Sequence, residues 1–336
     1  MRPRTLRDQP GRGGPSSTDS HAQGGEGGDP PPAPLEVEPF GARLAAAVAA
    51  RESQVVVGID PDPARLWPAA VERAPEARAL LAAPAGDTRF DIATAVLAHA
   101  LALIDAAAPA CVAAKPQAAF FEQLGFAGWL ALERVCAYAR AAGLLVIADA
   151  KRGDVPSTAA AYSRALTGPA PGLDADAITA NPLMGRDALA PLVTGARRRG
   201  AGAFLLVRTS NPGAADVLDL QLATGEPLWE RLATMTAELG EGEPLADVGA
   251  VTGATVPEHL ARMRELMPRT PFLLPGIGAQ GGDVAALAPA FAPGKAAGLV
   301  SASRSIAGAG DARAAAHAQA AREEAERLRE AAWNLA

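Results

Sequence analysis

From Phe40 onward the chain repeats one unit: a short apolar run, a polar or glycine-rich turn, then a segment with helical period. Eight runs fit the pattern, at Val55–Asp60, Cys111–Lys115, Leu144–Asp149, Ala177–Asn181, Ala203–Ser210, Val248–Gly253, Phe272–Gly276 and Ala297–Ser303. Unbroken apolar runs of this length suit strands buried on both faces, as in parallel sheets. Between them, Ile92, Val96, Leu97, Ala100, Leu101 and Ile104 fall on one helical stripe. Trp129, Leu132, Val135, Cys136 and Ala139 form a second, which Gly143 can terminate. The long stretch between Asp60 and Asp91 predicts a small helical excursion, "ERLATMTAELGEGEPLADVGA" carries a helix after the fifth run, and residues 311–336 predict a closing helix. Eight strands alternating with helices predict an α/β chain folded as a single-domain (β/α)8 barrel over residues 38–336, with a doubly wound open sheet as the competing arrangement. The polar residues separate the two. Asp60, Lys115, Asp149, Asn181, Arg208 and Ser303 all end their runs. A closed parallel barrel gathers those ends on one rim, where such barrels carry their chemistry; an open sheet spreads them along a line.

Residues 1–37 break the pattern. "RGGPSSTDSHAQGGEGGDPPPAP" has almost no large apolar side chain, so it cannot bury enough surface to offset its ordering entropy, and a disordered tail is expected. It also lacks the apolar centre of a signal peptide. In the 336 residues, 31 Lys and Arg against 37 Asp and Glu give a net charge of −6 with the signs interspersed. That balance argues against nucleic acid or an anionic membrane as the main partner, and leaves room for a local pocket for one small anion. No apolar run is read as reaching the roughly 18 residues a membrane span needs. The two cysteines, Cys111 and Cys136, sit in apolar runs without CxxC spacing, which favours buried free thiols and a reducing cytoplasm over a disulfide. None of the four histidines lies beside a plausible nucleophile or in a metal-ligand pattern, so neither a Ser-His-Asp triad nor a His-ligated zinc is expected.

The candidate chemistry lies in "IADAKRGDVPSTAAAY", Ile147 to Tyr162, where Asp149, Lys151, Arg152 and Asp154 crowd behind the third apolar run. Positions i and i+2 of a strand face the same side, so Asp149 and Lys151 both point into the barrel mouth if the extended conformation persists through Lys151. Lys115 ends the neighbouring run. The resulting order Lys115, Asp149, Lys151, Asp154 gives every charge an opposite neighbour and keeps each member ionised. By itself the string reads as a solvated turn; its place after a buried run and beside Lys115 is what favours a site. The second candidate is "LLPGIGAQGGD", whose glycines let backbone N–H groups approach an anion, with Arg304 of "SASRSI" in the following loop. Alone, the first is only a turn. Barrels frequently bind phosphate between the last two loops, which favours an anion site here.

These residues resemble the orotidine 5′-monophosphate decarboxylase family. The motifs are "VVGIDPDP", "AAKPQAAFFE", "ADAKRGDVPSTA", "TANPLMG", "TSNPG", "VTGATVPE" and "PGIGAQGGD", covering roughly residues 40 to 310 in the family's order, and the second is similar to the longer bacterial subfamily. The resemblance implies a cofactor-independent carboxy-lyase that converts orotidine 5′-monophosphate to UMP and carbon dioxide in pyrimidine biosynthesis. It implies Lys151 as the proton donor to C6, Asp149 facing the substrate carboxylate, and Lys115 linking Asp149 to a ribose hydroxyl. Asp154 and Thr158 would reach the neighbouring subunit's ribose in a homodimer with shared sites. Asp60 would bind the ribose, Ser210 the pyrimidine amide edge, and Gln280 and Arg304 the phosphate; no metal is implied. Two departures stand out. Val155-Pro156 replaces the Ile-Gly frequent in this type, which suits a helical first turn but can shift Asp154. The segment "VSASRSI" puts a Ser303 contact to phosphate in more question than one from Arg304. Three rivals remain: a metal-dependent sugar-phosphate barrel sharing the D-x-K-x-x-D string, with Glu122 as the one obvious extra carboxylate; a Schiff-base aldolase using Lys115; and a phosphate-binding module without chemistry.

Overall fold

All eight expected strands form, and they close on themselves. A computed structural model describes residues 37–253, 257–276, 284–310 and 316–335. The strands are β1 Val55–Ile59, β2 Ala113–Pro116, β3 Leu145–Arg152, β4 Ala177–Ala180, β5 Gly202–Arg208, β6 Val248–Thr252, β7 Phe272–Pro275 and β8 Gly298–Ala302. Each pairs in parallel with the next, and β8 pairs with β1, so the sheet is a closed barrel in chain order and the open-sheet alternative falls away. The tail expected over residues 1–37 lies, up to residue 36, outside the described residues.

Alternation along the strands builds two apolar layers. Val56, Ala113, Ile147, Ala177, Phe204, Val251, Leu273 and Leu299 belong to an inner cluster. Their neighbours Val55, Val57, Ala114, Val146, Ile178 and Val300 belong to an outer one, packed under the helices. This is the period-two alternation of a strand with both faces buried. The helix Phe40–Arg51 supplies Phe40, Leu44 and Val48 to the inner cluster, so it plugs the end of the barrel where the strands begin. Phe40 meets Phe204 edge-on at 5.8 Å between ring centres. Gly202 is required there, since a Cβ would sit 2.4 Å from the Phe40 ring. The plug leaves the opposite rim as the open one.

The helices follow the expected stripes with two exceptions. Val96, Leu97, Ala100 and Ile104 of Asp91–Ala107 are buried, as are Leu132, Val135, Cys136 and Ala139 of Gly125–Ala141. Ile92 and Trp129, at the edges of those stripes, are exposed. The segment Thr88–Ala110 is long and apolar enough to cross a membrane, contrary to the sequence reading, but two thirds of its apolar window, 67%, is buried inside the protein. It packs against Gly125–Ala141 and the closing helix His317–Trp333. The excursion after β1 forms as Pro68–Val71 and Ala74–Leu80, and the helix after β5 as Leu228–Leu239. Cys111 and Cys136 are free and buried, and burial pushes both thiols up to about 12.

Candidate active site

The extended conformation does not persist through Lys151. β3 and β4 are in register at Ile147–Ala177 and Ala148–Ile178, then the register slips before Arg152–Ala180. Inside that bulge Lys151 takes a left-handed φ of +47°, a conformation that costs an L-residue on the order of 1 kcal/mol or more. The expected meeting of Asp149 and Lys151 nevertheless occurs, because the bulge turns the lysine back over the strand. Bulges beside functional sites commonly re-aim one side chain in this way. Lys151 Nζ donates to Asp149 Oδ1 at 2.6 Å.

Asp149 is the hub. It is 4% exposed. Its Oδ2 accepts from Lys115 Nζ at 2.6 Å and from Gln117 Nε2 at 3.1 Å. Its Oδ1 accepts from Lys151 Nζ and, at 2.8 Å, from Thr179 Oγ1. Four donors thus fill the roughly four lone-pair sites of a carboxylate. Burial pushes the carboxyl upward, but the two ammonium groups outweigh it and hold Asp149 well below the usual carboxylate range. Burial likewise pulls Lys115 down, while Asp149 and then Asp60 raise it further, so the net shift is upward. Both groups are therefore charged at neutral pH, as the alternating order requires.

Two members of this cluster were missed in the sequence. Gln117 lies two positions beyond Lys115 and bridges to Asp149 in the next strand. Thr179 is a polar residue in the middle of an apolar run, two before Asn181. Each lies two positions from an inward-facing residue of its own strand, Gln117 from Lys115 and Thr179 from Ala177.

The remaining candidates sit around this hub. Asp154 makes no ion pair with either lysine; its Oδ1 accepts the Val155 N–H at 2.7 Å, ahead of the helix Pro156–Thr167. Pro156 occupies the first turn of that helix, as expected, and Thr158 is half-buried on it. Asp60 directly follows β1, and its Oδ1 is buried with no hydrogen-bond partner among the described residues. Asp60 and Arg304 line one cleft of about 370 Å³, together with Arg65, His99 and Phe120. Arg304 opens the short helix Arg304–Ala307 after β8 and is exposed. Ser303 turns the other way: its Oγ packs on Gly58, where a Cβ would lie only 1.8 Å from it. Ser210 follows β5 and is half-buried. Arg208, by contrast, is held by Asp219 through two bonds of 2.8 and 2.9 Å. Glu122 is engaged too, in an ion pair with Arg152. Gln280 and the glycines of its loop beyond Gly276 lie outside the described residues.

A family model described as orotidine 5′-phosphate decarboxylase / HUMPS matches residues 53–319. The chain is 43% identical over 273 residues to the orotidine 5′-phosphate decarboxylase of Haloarcula marismortui, covering 80% of this chain and 87% of that protein. Identity to the protein of the same name from Deinococcus radiodurans is 48% over 214 residues, 62% of this chain and 75% of the other. Among solved structures, the OMP decarboxylase of Leishmania donovani superposes with a TM-score of 0.64 at 31% identity, covering 88% of this chain and 98% of that one. With the barrel closed, its charged hub on the open rim and these similarities spanning both, the chain belongs to the orotidine 5′-phosphate decarboxylase / HUMPS family.

Proposed function

We propose that this rim converts orotidine 5′-monophosphate to UMP and carbon dioxide, with Lys151 as the proton donor at C6. The observation that carries the reading is the 2.6 Å contact of Lys151 Nζ with Asp149, itself clamped by Lys115. Loss of carbon dioxide leaves an electron pair on C6, with no ring position that delocalises it well. A fixed ammonium stabilises that charge and then supplies its proton, leaving as a neutral amine that water reprotonates. Asp149, held anionic, disfavours a second carboxylate beside it and so favours its departure as neutral carbon dioxide. Lys115 holds Asp149 and presents charge toward Asp60, the residue assigned to the ribose. Ser210 reads the pyrimidine, and Arg304 with Gln280 takes the phosphate, whose binding energy can hold the reacting end in place.

The functional unit is a homodimer in which Asp154 and Thr158 serve the partner's site. Three exposed apolar residues support this: Val155 is 47% exposed, Met184 49% and Leu183 78%. They lie on the turns after β3 and β4, which abut where Gly153 packs on the Asn181 carbonyl. A second copy is the partner that would cover them. The buried free thiols suit a reducing cytoplasm.

The test is to mix the protein with orotidine 5′-monophosphate in the presence of a chelator and follow loss of its ultraviolet absorbance. Turnover is expected without added metal, and Lys151→Ala is expected to remove nearly all of it in a folded protein. Positioned acid–base groups supply about 10²–10⁴-fold, to which the electrostatic role adds. Strict dependence on a divalent metal favours the sugar-phosphate rival, although Glu122, its extra carboxylate, is paired with Arg152. A Lys151→Ala variant keeping half its activity overturns the assignment.

A further inference from the structure

We infer that Thr179 is a positioning residue that sets both the backbone and the charge partner of Lys151. The inference rests on the reading of Lys151 as the proton donor. Thr179 is 1% exposed, in β4, facing the bulge of β3. Its hydroxyl accepts the Lys151 backbone N–H at 2.9 Å and donates its one hydrogen to Asp149 Oδ1 at 2.8 Å. That same oxygen receives Lys151 Nζ. One hydroxyl therefore closes a ring through the lysine main chain, the lysine ammonium and the carboxylate.

Each bond has a separate consequence. The bulge takes Lys151 out of the β3–β4 ladder, so its N–H has no strand carbonyl to meet, and Thr179 supplies the acceptor that makes the left-handed φ of +47° tolerable. The donated bond fixes Oδ1 in the orientation that receives Nζ. Without the hydroxyl, the N–H seeks another acceptor, the bulge relaxes toward an extended strand, and Nζ moves from where C6 would lie. Small displacements of a reacting group lower turnover steeply, while binding of the distant phosphate and ribose is little affected. Thr179 touches no reacting atom in this account; it acts through Lys151 and Asp149. A β-branched residue, whose first side-chain torsion is restricted, suits the role.

The experiment compares Thr179→Val, Thr179→Ala and Thr179→Ser with the parent protein for kcat, KM and thermal midpoint, alongside Lys151→Ala. Valine keeps the shape and removes the hydroxyl; serine keeps the hydroxyl. Valine and alanine are expected to lower kcat by about 10- to 100-fold, the range of one lost bond to a charged group. KM is expected to change by less than about threefold, and serine to stay within about threefold of the parent in kcat. If valine does not fold, alanine carries the comparison. Full kcat in both hydroxyl-free variants, with Lys151→Ala inactive, overturns the inference and leaves the proton-donor reading standing. A serine variant as slow as valine also overturns it, by showing that the methyl rather than the hydroxyl matters. An active Lys151→Ala variant overturns the reading itself.

Discussion

Asp149, between β2 and β4, is 4% exposed and has both oxygens occupied by four donors, whereas Arg304, after β8, is exposed and meets no carboxylate among the described residues. Asp60 resembles Arg304 in this respect, with a buried Oδ1 that has no hydrogen-bond partner among the described residues beside their shared cleft. The contrast follows from what each region is proposed to do. A proton donor that must meet a nascent negative charge gains from being fixed and charged before the ligand arrives, because little then reorganises during reaction. A region that grips a phosphate gains from leaving its donors open. The charged hub should therefore couple to stability, and the cleft chiefly to affinity.

Substitutions can break this comparison. Lys151→Ala has the largest expected effect on turnover. Lys115→Met should have the largest on stability. It leaves Asp149 buried with one cation fewer, and breaking a buried pair from one side costs about 3–5 kcal/mol. Denaturant midpoints measure it. The sign with pH can be worked out: a carboxyl held low in the folded state stabilises above its ordinary pKa, and that stabilisation is lost as pH falls through the lowered value. Lys115→Met weakens the depression, so less stability should be lost on acidification and the loss should end at a higher pH than in the parent. If neither the midpoint nor the acid limb moves, the hub is not coupled to stability. Arg304→Ala should do the reverse. An exposed cation without an ion pair contributes within about 0.5 kcal/mol to folding, while loss of a charge-assisted bond to phosphate should raise KM by about 10- to 100-fold. An unchanged KM with a lowered midpoint would invert the comparison.

The strands were legible because residues buried on both faces leave unbroken apolar runs, and the rim because those runs end in charge. Ile92 and Trp129 were misread because periodicity fixes an angle around a helix axis and not the width of the buried stripe; both stand at a stripe's edge. The apolar span Thr88–Ala110 escaped notice because Asp91 and His99 interrupt it in sequence. The bulge was illegible for a different reason. A left-handed residue usually announces itself as glycine, and here it is Lys151. What holds it there is Thr179, 28 residues away, a contact that exists only once β3 and β4 are paired. Asp154 shows the converse: its motif is plain in the sequence, yet within one chain it only caps Val155.

The smallest expected effect tests whether the floor of the open cleft is as rigid as the hub. His99 is 4% exposed, accepts the Trp67 N–H on Nδ1 at 3.1 Å and meets the indole edge-on. The Trp67 indole N–H in turn donates to the Ala307 carbonyl at 2.8 Å, at the end of the short helix that Arg304 begins. Burial, and then the nearby His317, pulls His99 from 6.5 down to about 4. The folded state therefore refuses a proton that the unfolded chain accepts, and stability should fall as pH drops from about 6.5 toward 4, by roughly 1 kcal/mol at pH 5.5. His99→Asn keeps an acceptor for the Trp67 N–H without the titration and should remove that slope from thermal midpoints taken between pH 7 and 5. An identical slope in the variant would show that the imidazole takes up its proton in place, and that the cleft floor yields where the hub does not.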